Sequence, residues 1–153
     1  MLRNLTTSGE VQFTSLLLLV VLAAIGYFAY ALFPGVADNY TLKQQMSGVV
    51  NQAWKRLGKE DVHKQVMEKA GAIGTHIEQP AGGLPIEAPG LPIAEEDVVV
   101  VCTDQAQDCT KDDGEVFVTV TYARVMPLPY FKGKSLTLHF SPSVHETLKP
   151  AAW

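Results

Sequence analysis

The sequence predicts an α+β protein: an N-terminal transmembrane helix continuing into amphipathic helices, then a small three-stranded antiparallel sheet. Three observations carry that expectation. No charged residue occurs between Glu10 and Asp38. Apolar residues then recur at steps of three and four from Leu42 to Ile73, the spacing of one helix face. In the last third of the chain, apolar and polar residues alternate, which is the period of a half-buried strand.

The elements follow in order along the 153 residues. Residues 1–10 form a cytoplasmic tail and 11–35 the transmembrane helix. Phe13 to Phe33 is 21 residues, about 31 Å as a helix, against a hydrocarbon core of about 30 Å. Phe13, Leu16, Leu17, Leu18 and Leu19 begin the lipid-facing set, and Val20, Val21, Leu22 and Ile25 continue it. Seven of the nine residues from Leu16 to Ala24 are Leu or Val, so insertion is favourable. Phe28 completes the span set, and Tyr27, Tyr30 and Phe33 crowd its far end, as an interfacial aromatic belt does. Pro34-Gly35 is expected to bend or stop the helix where the chain leaves lipid.

A cleavable signal peptide is the competing reading. Ala29-Tyr30-Ala31 fits a small-residue cleavage site. Against it, the uncharged run exceeds the usual apolar segment of about 7–15 residues. Arg3 and the amino terminus on one side nearly balance Lys43 on the other. The short N-terminal tail is easier to leave in the cytoplasm, and a cysteine pair suits an oxidising compartment. Residues 36–153 are therefore expected in a periplasm, anchored to a bacterial inner membrane by a single pass.

Residues 36–78 are expected to hold two amphipathic helices. In the first, Leu42, Met46, Val49, Val50, Ala53, Trp54 and Leu57 form one stripe. Asp38 or Asn39 is its expected N-cap and Gly58 its C-terminal stop. In the second, Val62, Val66, Met67, Ala70 and Ile73 share a face, with Asp61 as N-cap. Both stripes read as core. Residues 79–94 hold four prolines and three glycines, which excludes a helix or a central strand and leaves an extended linker. Leu84, Ile86, Leu91 and Ile93 are placed to pin it to the domain surface.

Residues 95–153 read as an antiparallel meander with a C-terminal tail. "DVVVVCT" is an unbroken apolar run, expected as a buried strand. "EVFVTVTYAR" puts Val116, Val118, Val120 and Tyr122 on one face and Phe117, Thr119, Thr121 and Ala123 on the other. In "SLTLHF", Leu136, Leu138 and Phe140 are expected inward. Phe117, Thr119 and Thr121 on the outer face are the candidate protein interface.

Composition limits the function classes. A net charge of -4 argues against nucleic acid as a partner. Cys102 and Cys109 are expected to form a structural disulfide, worth about 2.5 kcal/mol for so short a loop. Their spacing is wider than a redox C-x-x-C motif, and no second cysteine pair completes a zinc site. Asp104, Asp108, Asp112, Asp113 and Glu115 do not match a calcium loop. His63, His76, His139 and His145 form no H-x-x-x-H pair. Ser141, Ser143 and His145 lie close, but no G-x-S-x-G elbow supports a hydrolase. No catalytic residue, metal or cofactor is expected. The expected partners are membrane lipid and either another protein or further copies of this chain in a filament.

"FTSLLLLVVLAAIGYFAYAL" resembles the N-terminal helix of pilin-like bacterial proteins, which implies an apolar helix running into an amphipathic one and then an antiparallel sheet. The pilin pattern carries Glu at the fifth position after a glycine cleavage site; the aligned positions here are Thr14 or Leu17. "ALFPGVADNYTLKQQM" and "YARVMPLPYFKGKSLTLHF", with Tyr122, Pro127 and Leu128, are similar to an uncharacterised family of small single-pass proteobacterial proteins with pilin-like N-termini. That likeness implies no activity. The expected role is a non-enzymatic, membrane-anchored structural or assembly component of an envelope or pilus-like complex. The alternatives are a filament subunit packing through its N-terminal helix, and a secreted binding domain released by cleavage.

Overall fold

Helix α1, Ser8–Ala53, runs without interruption through Pro34. The protein is described from a computed structural model, which covers residues 8–53, 58–78, 86–102, 114–128, 130–131 and 133–147. The chain forms two units, Met1–Pro34 and Gly35–Trp153. α1 contributes to both, so the expected stop at Pro34-Gly35 is not observed. Pro34 forfeits one backbone hydrogen bond and crowds the preceding turn, a cost of about 3 kcal/mol. Burial of Leu42, Met46, Val49 and Val50 farther along offsets it, at about 1.5–3 kcal/mol per large apolar side chain.

Continuity of α1 also overturns the expected caps. Asp38 and Asn39 lie inside the helix rather than at its start. Gly58, expected as a C-terminal stop, is the N-cap of α2, Lys59–Gly71. Asp61 sits one turn in, where its carboxylate accepts the Gly58 N–H at 3.3 Å. Both stripes are core: Leu42, Met46, Val49 and Val50 from α1 meet Val62, Val66 and Ala70 from α2, with Ile73 after it. Trp54 and Leu57 fall outside the described residues.

After α2, strands β1 (Thr75–Glu78) and β2 (Ile86–Pro89) pair antiparallel. Within the segment 79–94, residues Ile86–Pro89 thus form an edge strand, and no helix or central strand occurs among its described residues. Pro89 ends β2 in a two-stranded ribbon where no central position is required, and Leu91 is buried in the core. Leu84 lies outside the described residues, and Ile86 is exposed. Gly90 makes the ribbon's return possible. Its φ is +89°, and a Cβ there would lie 2.7 Å from the carbonyl oxygen of Gly71 and 2.9 Å from its Cα. Gly90→Ala is expected to destabilise the fold by about 1–3 kcal/mol, read as a lower midpoint in thermal denaturation of the detergent-solubilised chain.

A short 3-10 helix, Glu95–Asp97, leads into β3 (Val98–Cys102), followed by β4 (Glu115–Val120), β5 (Tyr122–Pro127), β6 (Ser135–Phe140) and β7 (Ser143–Thr147). β3, β4 and β7 form a three-stranded antiparallel sheet, and β5 pairs with β6. The expected single strand 115–124 therefore breaks at Thr121, and a strand not foreseen, β7, covers Ser143 and His145. The two ladders share one register: Tyr122 faces Phe140 and Thr119 faces Ser143, with no slipped residue between. Pro142 lies at the break. It has no N–H for the ladder, while its carbonyl accepts the Val120 N–H at 3.1 Å.

One face of this sheet is the core. Val100, Val118 and Val144 form a buried row across three strands. The alternation expected over 116–122 is observed: Val116, Val118, Val120 and Tyr122 are buried. Two expectations fail. β3 is buried on one side only, with Val98 and Val100 inside and Val99 and Val101 outside, because its sheet is covered on one face. Leu136 is exposed rather than inward, while Phe140 packs against the core.

Candidate functional site

Two surfaces and one internal cluster carry the chemistry of this chain. The first surface is the apolar half of α1. From Phe13 to Phe28 the large side chains are exposed, apart from a partly covered Tyr27 whose ring meets Phe28 edge-on at 5.6 Å. Tyr30 and Phe33 are exposed as well. Among the described residues it is the one helix long and apolar enough to cross a membrane. Only 6% of its most apolar window is buried, at a mean hydropathy of 2.5. A core helix of a soluble domain would be mostly covered. Leaving this many Leu and Val side chains in water would forfeit about 1.5–3 kcal/mol each.

The second surface is the outer face of the three-stranded sheet. Its rows follow from register. Val101, Phe117 and His145 stand side by side, as do Val99, Thr119 and Ser143. Val99 and Val101 are half exposed, and Phe117 is 41% exposed. The Phe117 ring lies flat against His145, with centroids 4.0 Å apart and planes 7° from parallel. His145 Nε2 stands 3.5 Å from a Glu115 carboxylate oxygen. Of the residues singled out from sequence, Phe117 and the half-buried Thr119 share this face. Thr121 is exposed but sits at the break between β4 and β5, where its N–H donates to the Asp97 carbonyl at 3.0 Å. The valines of β3 and His145 were missed. An unbroken apolar run does not show which side is covered, and strand β7 was not anticipated.

The cluster lies where α1 meets β5 and β1. Arg124, buried on β5, donates one guanidinium N–H to the Asp38 carboxylate of α1 and another to the Thr75 carbonyl at 2.8 Å. The Tyr122 hydroxyl donates to Asn39 Oδ1 at 3.5 Å. Gly74, at φ +64°, leaves room for the carboxylate: a Cβ there would lie 2.5 Å from Asp38 Oδ2. Burial pushes the Tyr122 hydroxyl up to about 12, with Arg124 opposing the rise and Asp38 adding to it.

That shift has a signed consequence. Folding favours the protonated phenol, so its stabilisation is complete below about pH 10 and is lost as pH climbs from about 10 to about 12. The stability difference between the parent and Tyr122→Phe is therefore expected to stay constant to about pH 9 and then fall by about 2 kcal/mol. Denaturant titrations of both detergent-solubilised proteins at stepped pH measure it.

No catalytic constellation emerges among the described residues. His63 Nε2 lies 2.9 Å from the Glu95 carbonyl and His76 Nδ1 2.9 Å from the Gly90 carbonyl, so both rings tie loops to the fold. His139 is exposed on β6. No group of three or more His, Cys, Asp or Glu among the described residues is arranged to hold a metal ion. Cys102 ends β3 half-buried, and Cys109 lies outside the described residues, as do Asp104, Asp108, Asp112 and Asp113.

The chain matches no protein-family model, no curated protein and no solved structure.

Proposed function

We propose that this is a non-enzymatic bitopic protein of a bacterial inner membrane. Residues 13–33 span the bilayer, and the α+β unit lies in the periplasm, serving a structural or assembly role in an envelope complex. The observation that carries the reading is the exposed, charge-free half of α1, which needs an apolar surrounding. The outer face of the sheet, centred on Phe117 between Val101 and His145, is where a protein partner docks. Cys102 and Cys109 form a disulfide that closes the acidic loop, in keeping with an oxidising compartment. Membrane vesicles washed with alkaline carbonate test the anchor: the chain stays in the pellet at its full mass. Protease added to spheroplasts degrades the α+β unit. Release of an intact chain, or protection from protease, overturns the reading.

A filament subunit is the second reading. The unbroken run of α1 from its apolar half into its amphipathic half favours it, since a fibre core is another apolar surrounding. The absence of Glu at Thr14 and Leu17 counts against it. Cleavage after Gly9 and fibres in sheared surface material distinguish it from the first. A mass beginning after Ala31 would instead identify a secreted domain.

A further inference from the structure

β6 and β7 are the outer members of their ladders, and one register runs through both, so residues 135–147 form a single strand edge. In an antiparallel ladder each residue turns its N–H and C=O to one side, and the sides alternate along the strand. The Pro142 carbonyl accepts from Val120 and the Lys134 carbonyl from Leu128, so even-numbered residues face β4 and β5. The seven odd-numbered residues from Ser135 to Thr147 turn their backbone groups outward. All seven are exposed, and among the described residues no further backbone bond reaches them. Edges are normally blunted by charge, proline, a bulge or a cover. Here every outward position is Ser, Thr or His. The one proline, Pro142, stands in the inward phase, where it removes a donor from the ladder and none from the edge.

The strand is complementary to itself. Lay a second copy antiparallel to it, with a two-fold axis at Phe140. On the outer side, Ser135 then faces His145, Thr137 faces Ser143 and His139 faces Ser141 of the second copy, and each such pair exchanges two backbone hydrogen bonds. On the inner side the pairs are the narrow ones, where side chains come closest. Leu138 faces Pro142, and Phe140 faces its own counterpart. Leu136, exposed in the single chain although it alternates with Leu138 and Phe140, faces the apolar Val144. Exposed Lys134 faces the half-buried Glu146, an opposite-charge pair. A slip of two residues separates both Leu136 from Val144 and Lys134 from Glu146. A slip of one residue leaves the outward groups without partners. One register therefore satisfies hydrogen bonding, apolar contact and charge together, and the occupant it fits is this chain.

We propose that residues 134–146 pair antiparallel with the same residues of a second copy, joining two α+β units edge to edge through their sheets. The inference uses the α+β unit alone, so its failure leaves the carbonate and protease results untouched. The test mixes two tagged forms of the full chain, Thr137→Cys and Ser143→Cys, in phosphatidylethanolamine/phosphatidylglycerol vesicles under mild oxidation. In the pair these positions face each other with Cα atoms about 5.5 Å apart, inside the span of about 4.4–6.8 Å that a disulfide bridges. Each lies about 20 Å from its own counterpart. The expected result is a reducible band of twice the chain mass carrying both tags, strong in the mixture and at the parent's level in either variant alone; Cys102 and Cys109 set that level. Adding His139→Pro to both forms removes an outward N–H and leaves the inner ladder its donors. The band is then lost while the circular dichroism spectrum is kept. A mixture no stronger than its components overturns the proposal, whether or not the proline variant folds. So does a band that survives His139→Pro in a folded chain, since the contact then lies elsewhere. An adduct of any other mass, trapped in cell membranes by Ser143→Cys in place of the doubled one, assigns the edge to a different protein and also overturns it.

Discussion

Asp38→Ala is expected to destabilise the α+β unit by about 3–5 kcal/mol, the range for breaking a buried ion pair from one side. The size comes from what remains. Arg124 is 8% exposed and always charged, and without the carboxylate it keeps its hydrogen bond to the Thr75 carbonyl. An uncompensated guanidinium in that position must draw water inward or leave its pocket. Either movement disturbs β5, whose next inward neighbours Tyr122 and Met126 are buried. Asp38→Leu combined with Arg124→Leu is expected to recover most of the loss, because removing both charges removes the desolvation cost with them. Denaturant titration of the detergent-solubilised parent, single and double variants, followed by circular dichroism, measures both effects. A single variant within about 1 kcal/mol of the parent would mean the pair behaves as an exposed one.

This pair also marks the limit of what the sequence reveals. Its partners are 86 residues apart, and no spacing rule links them. An Asp just after Pro-Gly reads locally as a helix cap, which is how Asp38 was misassigned. Periodicity succeeded where one element meets one covering layer. The stripes of Leu42 to Val50 and Val62 to Ile73, and the alternation over 116–122, were legible because buried faces repeat at 3.6 or 2 residues. It failed where the outcome depends on a distant neighbour. Pro34 does not end α1, because packing farther along outweighs a local cost. Four valines at 98–101 cannot tell one covered face from two. β7 follows a proline and contains Ser, His, Glu and Thr, so its pairing with β4 was hidden. The candidate interface was accordingly half read: Phe117 was found through alternation, whereas Val99, Val101 and His145 entered only with the register.

The largest effect of all is expected from charge in the apolar half of α1. Leu22→Arg combined with Ile25→Arg places two guanidinium groups near the middle of residues 13–33. Each costs about 2.5–3.5 kcal/mol on insertion and also forfeits about 0.3–0.6 kcal/mol from the apolar side chain it replaces, so the pair costs about 6–8 kcal/mol. The whole apolar stretch supplies a gain of the same order, roughly 4–7 kcal/mol for its 12 Leu, Ile, Val and Phe side chains at about 0.3–0.6 each. Insertion should therefore fall from nearly complete to a minor fraction, read as loss of the chain from carbonate-washed membranes, while Leu22→Phe with Ile25→Leu is retained. The parent decides what that loss means. A full-length parent in the washed pellet identifies a retained anchor that the arginines destroy. A parent already soluble, with a mass beginning after Ala31, identifies an export signal, and the double-arginine chain would then accumulate as an uncleaved precursor. A parent shortened after Gly9 and found in fibres would point to packing in a filament core, which two buried arginines would also abolish.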